Sequence, residues 1–258
     1  MSVPIAVSRA LYKGLMSATR EFARRGSPML LRLPVEQANI GWMRDGRAQS
    51  EYVTQNNADV VAQLFPMLPE AKRPDSDALD ADAVRELVRD AFRAPSPASD
   101  DLLGDGLSAL KTFGELVAQS ERSSCTTTEA ECGAKVTVEA TSSFRGSGAQ
   151  GAGKVWAFEY RIRVRNDGDV PVQLLGREWC IRNADGSIHG HVPKGSPGVV
   201  GETPVLQPKQ AFEYASGTTF NTAGGSVEGS FQMARLPDDG GQLLEKFDAA
   251  VARFDCIM

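Results

Sequence analysis

Strict alternation in the second half of the chain constrains its fold most strongly. Between residues 158 and 165, apolar residues at every second position alternate with charged ones; the apolar set is Phe158, Tyr160, Ile162 and Val164. A period of two places the apolar set on one face of a β-strand and the charged set on the other. A turn signal, Asn166-Asp167-Gly168, follows at once. This segment therefore predicts a half-buried strand that ends in a tight turn.

Further short strands are predicted on both sides of this segment. They cover residues 135–140, 172–175, 178–182, 210–215 and 227–233, and turn residues separate them. Short strands at such intervals are typical of an antiparallel sandwich or barrel.

The first 120 residues carry a different pattern, with apolar residues at helical spacing. Helices are predicted over residues 4–25, 81–93 and 100–119, and a shorter one over 57–65. Helices followed by strands indicate an α+β chain of two domains. We expect a three-helix domain over residues 1–120 with an insertion near 34–80, a Ser/Thr-rich linker over 121–133, and a β-sandwich over 134–258.

Charge and motifs exclude several classes of function. The 258 residues include 28 basic and 33 acidic side chains, and a net charge of −5 argues against a strongly basic nucleic-acid binder. No apolar run reaches the roughly 20 residues of a membrane-spanning helix. Serine-hydrolase, Walker and zinc-protease motifs are absent, and His189 and His191 are a poor metal-ligand set, so neither catalytic nor metal-binding residues are predicted. The four cysteines are expected to be free thiols.

The start of the chain is basic. Residues 1–33 hold six basic side chains and a single acid, Glu21. This pattern is typical of a mitochondrial targeting region, and it also suits a surface that binds an acidic partner. A third interpretation is a helix with a solvated basic face.

The second half of the chain resembles the ApaG domain family over residues 133–258. The matching blocks, in order, are WAFEYRIRVRNDG (156–168), PVQLLGREWCIRNADG (171–186), GVVGETPVLQPKQAFEYASG (198–217) and GSVEGSFQM (225–233). The resemblance implies an antiparallel, fibronectin-like β-sandwich. It also implies that residues 247–254 form a final strand, although apolar spacing over 242–254 alone favours an amphipathic helix. In such a strand Phe254 needs a bulge or a register change to reach the core face.

The family often carries a glycine-rich loop, here represented by Gly195, Gly198 and Gly201. These three residues are a candidate phosphate loop. However, Pro197 removes one N–H donor and no helix is expected to follow, so glycines that allow tight turns are the favoured interpretation.

The first helix resembles the LYR-motif family of mitochondrial proteins. It carries Leu11-Tyr12-Lys13, with lysine in the place of the usual arginine, and two further helices follow. The resemblance implies docking of the mitochondrial acyl carrier protein, with its acidic helix on the basic face. The expected docking residues are Arg9, Leu11, Tyr12, Lys13, Arg20, Phe22, Arg24 and Arg25.

In that family the acyl chain of the carrier enters a channel between the three helices. The expected lining is Leu15, Val88, Phe92, Leu107, Leu110 and Phe113. The acyl-4′-phosphopantetheine group belongs to the carrier, so no cofactor is expected on this chain itself. Gly104, Gly106 and Gly114 would either leave room for an alkyl chain or permit close helix packing.

Together these features predict a non-catalytic accessory or assembly subunit of a large mitochondrial complex, either a respiratory complex or the mitoribosome. Its location would be the matrix or the matrix side of the inner membrane. It would have no membrane span, and it would meet nucleic acid only as a mitoribosome component. Two alternatives stay open: a free adaptor that binds proteins through the sandwich, and a phosphate-ligand-binding protein that uses the Gly195–Gly201 loop.

Overall fold

The structure is a computed structural model that describes residues 5–24, 43–44, 47–53, 81–93, 102–151, 153–237 and 245–258. The chain divides into two compact units. The helical unit comprises residues 1–38 and 55–120, and the sheet unit comprises residues 39–54 and 121–258. The short helix predicted over 57–65 lies outside the described residues.

The helical unit contains α1 (Ile5–Arg24), α2 (Ala81–Arg93) and α3 (Leu102–Ser120). All three helices were predicted to within about two residues, and α1 packs against both of the others. Apolar residues at helical spacing meet in its interior, where Leu15, Val84, Val88 and Ala109 are completely buried. A three-helix bundle of the LYR type stays a prediction.

The sheet unit contains eleven described strands. They are β1 (Met43–Arg44), β2 (Arg47–Val53), β3 (Ser123–Glu129), β4 (Lys135–Gln150), β5 (Gly153–Asn166), β6 (Val172–Asn183), β7 (Ile188–Pro197), β8 (Val205–Leu206), β9 (Ala211–Phe220), β10 (Gly225–Arg235) and β11 (Lys246–Cys256). One sheet has the order β1-β2-β9-β5-β4-β3, and the other has the order β11-β10-β6-β7 with β8 also paired to β6. The predicted antiparallel β-sandwich is confirmed.

The core of the sandwich lies between these two sheets. Aromatic rings from opposite sheets meet there: Tyr160 and Phe254 have centroids 5.8 Å apart, and Tyr214 and Phe231 have centroids 6.4 Å apart. On β5 the predicted apolar face is confirmed, because Phe158, Ile162 and Val164 are buried. The prediction that the strand is only half-buried is wrong, because Arg161 and Arg163 on its other face are buried as well.

The C-terminal segment is the predicted strand, β11. It pairs with β10, and a register shift between Val227 and Gly229 forms the predicted bulge. The shift brings Phe254 opposite Val227 and leaves it only 1% exposed, beside Ala249 and Val251 in the core. The contacts of Phe254 outweigh the low β-propensity of the alanines in this strand.

The predicted linker over 121–133 is wrong, because residues 123–129 form the edge strand β3. Its side chains form hydrogen bonds with the backbone of β11, which is an edge strand of the opposite sheet. The Ala250 and Ala252 N–H groups donate to the hydroxyls of Thr128 (3.0 Å) and Thr126 (3.3 Å), and the Ser124 hydroxyl donates to the Ala252 carbonyl (2.9 Å). A Ser/Thr-rich segment can therefore complete a sandwich edge, since alternate hydroxyls satisfy backbone groups that would otherwise need water.

The insertion near 34–80 was placed in the helical domain, and this too needs correction. Residues 39–54 belong to the sheet unit, where β2 pairs with β9. The β2 segment, RAQSEYV, is too polar for apolar alternation to reveal a strand.

Candidate functional site

A cavity of about 330 Å³ lies in the helical unit, and three arginines line it. Ser8, Arg9 and Tyr12 come from α1, and Arg89, Phe92 and Arg93 come from α2. Residues three and four apart lie on the same face of a helix, so each helix presents one such face to the cavity. The site therefore follows directly from the packing of α1 on α2.

Two aromatic rings form the apolar part of the cavity. The Tyr12 and Phe92 centroids are 5.5 Å apart, with the rings inclined at 63°, which is an edge-to-face contact. The Arg89 guanidinium forms an ion pair with Glu86 and also hydrogen-bonds to the Tyr12 hydroxyl. The hydrogen bond that it donates to the Glu86 carboxylate is the main cause that raises the pKa of Arg89. Arg9 and Arg93 are exposed at the rim. The arrangement suits a ligand with an apolar or aromatic group next to negative charges.

A basic stripe continues from this cavity along α1. At 100° per residue, Arg9, Lys13, Arg20 and Arg24 fall within about 60° of the helix circumference. All four side chains are exposed. Arg24 forms an exposed ion pair with Glu21 at 3.1 Å, and such pairs contribute little to stability. The stripe is thus available to bind an acidic surface.

Of the remaining predicted docking residues, Tyr12 lines the cavity but Leu11 does not belong to this surface. Leu11 is only 6% exposed and packs against α3, where it fills the space beside Gly106. The docking role predicted for Leu11 is wrong, because Leu11 faces the helical interior, where its apolar spacing on the first helix also places it. Arg25 and the side chain of Phe22 lie outside the described residues.

The predicted acyl-chain lining is only partly interior. Leu15 and Val88 are completely buried, Leu110 is half-buried against Gly14, and Phe92 lines the cavity. Leu107 is 52% exposed, so its placement in the interior is wrong. It lies on a side of α3 that the described helices leave open. The side chain of Phe113 is outside the described residues. At Gly106 the close-packing interpretation holds, since the Leu11 side chain already occupies the space beside it.

Gly195 lies within β7, and only the end of the predicted loop, Val199–Glu202, is a tight turn. Val199 and Glu202 exchange two backbone hydrogen bonds of 2.8 Å, and the central residues Val200 and Gly201 have φ of 46° and 86°. Positive φ at both positions defines the type I′ hairpin turn. A side chain at Gly198 would collide with the Glu202 carbonyl. Gly198 and Gly201 are therefore explained by the turn.

The loop also uses its own hydrogen-bonding groups internally. Gly195 N–H donates to the Gln232 side chain at 3.0 Å, and Gly198 N–H donates to the Leu175 carbonyl at 2.9 Å. The Arg177 guanidinium donates to the Pro197 carbonyl at 2.9 Å and to the Gly198 carbonyl at 2.5 Å. Because the N–H groups of Gly195 and Gly198 already have partners, the geometry does not favour phosphate binding by the predicted set Gly195, Gly198 and Gly201.

The histidines do not form a metal centre with their neighbours. His191 lies 3.9 Å from Glu178, and His189 packs near the Phe220 ring. Among the described residues, no group of three His, Cys, Asp or Glu side chains could hold a metal ion. The cysteines are free, and burial raises the pKa of the Cys256 thiol to about 12.

Sequence analysis missed Ser8, Arg89 and Arg93 as site residues. The signal was present on α2, where Arg89, Phe92 and Arg93 are three and four positions apart. This spacing alone does not identify a site, because only the packing of the helices shows which face of α2 meets Tyr12.

Comparison with known proteins assigns the sheet unit. The ApaG domain family model matches residues 147–235. The protein ApaG of Methylococcus capsulatus is 42% identical over 99 residues, which is 38% of this chain and 71% of that protein. ApaG of Pseudomonas syringae pv. tomato is 38% identical over 120 residues, covering 46% of this chain and 88% of that protein. A crystal structure of an ApaA protein from Bordetella pertussis aligns at 26% identity and a TM-score of 0.40, covering 48% of this chain and 94% of that one.

The matches lie in the second half of the chain, and the helical unit falls outside the region matched by the family model. None of the described helices is long and apolar enough to cross a membrane.

Proposed function

Because the chain belongs to the ApaG family, we propose that it is a non-catalytic interaction protein with two binding units. The ApaG domain contacts partner proteins, and the helical unit docks an acidic partner, the acyl carrier protein. The observation that carries the second part is the cavity between α1 and α2, with aromatic rings inside and arginines at its rim.

The cavity and the stripe together match an acidic helix with an exposed apolar side chain. The apolar side chain would contact Tyr12 and Phe92, and burying such a group contributes roughly 1.5–3 kcal/mol. Carboxylates on the partner would meet Arg9, Arg93 and the basic stripe, each exposed pair adding about 0–1 kcal/mol. Several weak pairs around one apolar anchor give an interaction that weakens as salt concentration rises.

The mitochondrial part of this proposal rests on the LYR-like motif. Tyr12, the central residue of Leu11-Tyr12-Lys13, lines the cavity, and Lys13 is exposed on the basic stripe. We place the protein in the mitochondrial matrix as an accessory or assembly subunit of a large complex. The carrier would arrive with its acyl-4′-phosphopantetheine group, and the chain would need no cofactor of its own.

The non-catalytic part is supported by the positions of the most perturbed titratable groups. Tyr214 and Cys256 are buried in the sandwich core, and burial raises the pKa of both side chains. A catalytic acid or base must reach its substrate, so closed core positions favour a structural role for both residues.

The test is a titration of the full-length protein with purified acyl carrier protein by calorimetry, at 50 and 300 mM salt. We expect the double variant Arg9→Glu/Arg93→Glu to bind at least tenfold more weakly than the natural chain. Lys246→Glu is the control, since it reverses an exposed charge on the sheet unit. Equal binding by the natural chain and the double variant would overturn the docking proposal.

A second measurement separates the complex subunit from the free adaptor. The tagged full-length protein is purified from its native cells and its partners are sized. Acyl carrier protein recovered in a very large particle supports the subunit; a small complex without the carrier supports the adaptor.

A further inference from the structure

The outer edge of β9 is covered by a strand from a distant part of the chain. β2 pairs antiparallel with β9 from Gln49 opposite Ala215 to Val53 opposite Ala211. The ApaG family match begins at residue 147, so β2 lies far outside it. The ApaG domain thus holds, at one of its sheet edges, a strand that the family match does not include.

One side chain of β2 has described contacts with the domain. The Tyr52 ring stands edge-on to Phe212, with centroids 5.4 Å apart, and its hydroxyl accepts a hydrogen bond from the Val205 N–H at 3.2 Å. Tyr52 is nevertheless 50% exposed. Backbone pairing combined with an aromatic anchor is the way in which added strands bind to sheet edges in peptide-recognition domains.

Among the described strands, β2 pairs with only half of this edge. On its other side, β9 pairs with β5 along its whole length, from Ala211 to Phe220. On the outer side, the registered pairs with β2 stop at Ala215. Residues 216–220 have no registered partner on that side among the described strands, and Gly217 and Thr219 are exposed. An open edge of this kind presents backbone groups that can pair with another strand.

We propose that the β9 edge is a strand-acceptor site for an extended peptide of a partner protein, and that β2 is the internal strand this peptide replaces. The proposal rests on the interaction role given above to the ApaG domain. The peptide that fits runs antiparallel to β9 and carries a tyrosine at the position of Tyr52. The peptide must compete with β2, which has a high effective concentration because it belongs to the same chain. The peptide has the advantage of length, because it can pair with all ten residues of β9, whereas β2 pairs with five.

The test uses a full-length variant in which residues 43–53 are replaced by a Gly/Ser segment of equal length. The probe is a fluorescent ten-residue peptide, TVTRAQSEYV, which keeps residues 47–53 and extends the strand towards Phe220. We expect saturable binding to this variant, and binding to the natural chain that is at least tenfold weaker. In the probe, Tyr52→Ala should weaken binding at least tenfold, whereas Tyr52→Phe, which keeps the ring, should weaken it only a few-fold.

The peptide with the reversed sequence is the control for composition. Equal binding of the reversed peptide, or no binding of the probe to a folded variant, overturns the proposal. If the variant does not fold, hydrogen exchange of the natural chain with excess probe decides. Loss of protection at β2 with retained protection at β9 supports exchange, and unchanged protection at β2 overturns it. None of these outcomes depends on Arg9 or Arg93, so this inference and the carrier-docking proposal fail separately.

Discussion

Glu213 is the centre of a buried charge cluster in the sheet unit. Its carboxylate contacts the Arg161 Nε at 3.0 Å and the Arg163 Nε at 2.6 Å. The side chains of Glu213 and Arg161 are 4% and 3% exposed, and that of Arg163 is 11% exposed. The Glu213 carboxylate therefore contacts two positive charges where little water can reach them, and a second buried carboxylate, Glu139, lies opposite Arg163 in the sheet.

Glu213→Gln keeps the shape of the side chain but removes its charge. The two guanidiniums then lose the Glu213 carboxylate as an ion-pair partner. Removing one partner of a buried ion pair costs about 3–5 kcal/mol, because the remaining charge stays desolvated. We expect a loss of about 3 kcal/mol, near the lower limit, since the glutamine oxygen can still accept one hydrogen bond. In a unit of this size that loss lowers the melting temperature by roughly 6–12 °C.

The measurement is urea unfolding followed by tryptophan fluorescence, with Glu159→Gln as the matched control. Glu159 pairs with Arg145 at 2.8 Å, and the Arg145 side chain is 43% exposed, so the control should lose no more than about 1 kcal/mol. Equal losses in the two variants would refute the argument that burial makes the Glu213 cluster important. A change in the slope of the transition would show that the unfolded state had changed as well.

Two further variants test the edge and the pH dependence of the sandwich. Thr126→Val removes the hydroxyl that accepts a hydrogen bond from the Ala252 N–H. We expect the free energy of unfolding to fall by about 1 kcal/mol and hydrogen exchange at Ala252 to become faster. The control is Cys125→Ser, at an exposed position, which should change the free energy of unfolding by less than about 0.5 kcal/mol. Burial raises the pKa of the Cys256 thiol from 9.0 to about 12. The stability that the buried neutral thiol contributes to the folded state is therefore complete below pH 9 and is lost as the pH rises to 12. Chemical unfolding at successive pH values should show stability falling by up to about 1.4 kcal/mol per pH unit above 9, and less steeply in Cys256→Val; equal slopes would contradict this assignment.

Elements with strong apolar periodicity could be predicted from the sequence. The helical spacing in α1 and α2 reports which side chains leave water, and burial of those side chains fixes the helices. The alternation in β5 identifies its apolar face but not the burial of Arg161 and Arg163 on the other face. The final strand was less certain, because Phe247, Val251 and Phe254 fit a helix as well as a strand. The position of Phe254 opposite Val227 settles it, and that contact joins residues that are distant in sequence.

Strands β2 and β3 could not be predicted because periodicity measures apolar burial alone. Thr126 and Thr128 stabilise an edge through their hydroxyls, which leaves no apolar pattern to detect. The lining of the cavity could likewise be predicted only in part. Tyr12 came from a motif, but Arg89 and Arg93 become site residues only once α2 packs beside α1.

The path of the chain makes the two units dependent on each other. Residues 39–54 of the sheet unit lie in sequence between α1 and α2, so the chain passes from one unit to the other three times. A fragment that begins at residue 121 would keep the whole family match but would lose β2. Such a fragment exposes the backbone of Ala211–Ala215 and the ring of Phe212 at an open edge, where strand pairing with other chains is favoured. Binding studies on the ApaG domain of this protein therefore need a chain that keeps residues 39–54, because only then does a peptide have to compete with β2 for the β9 edge.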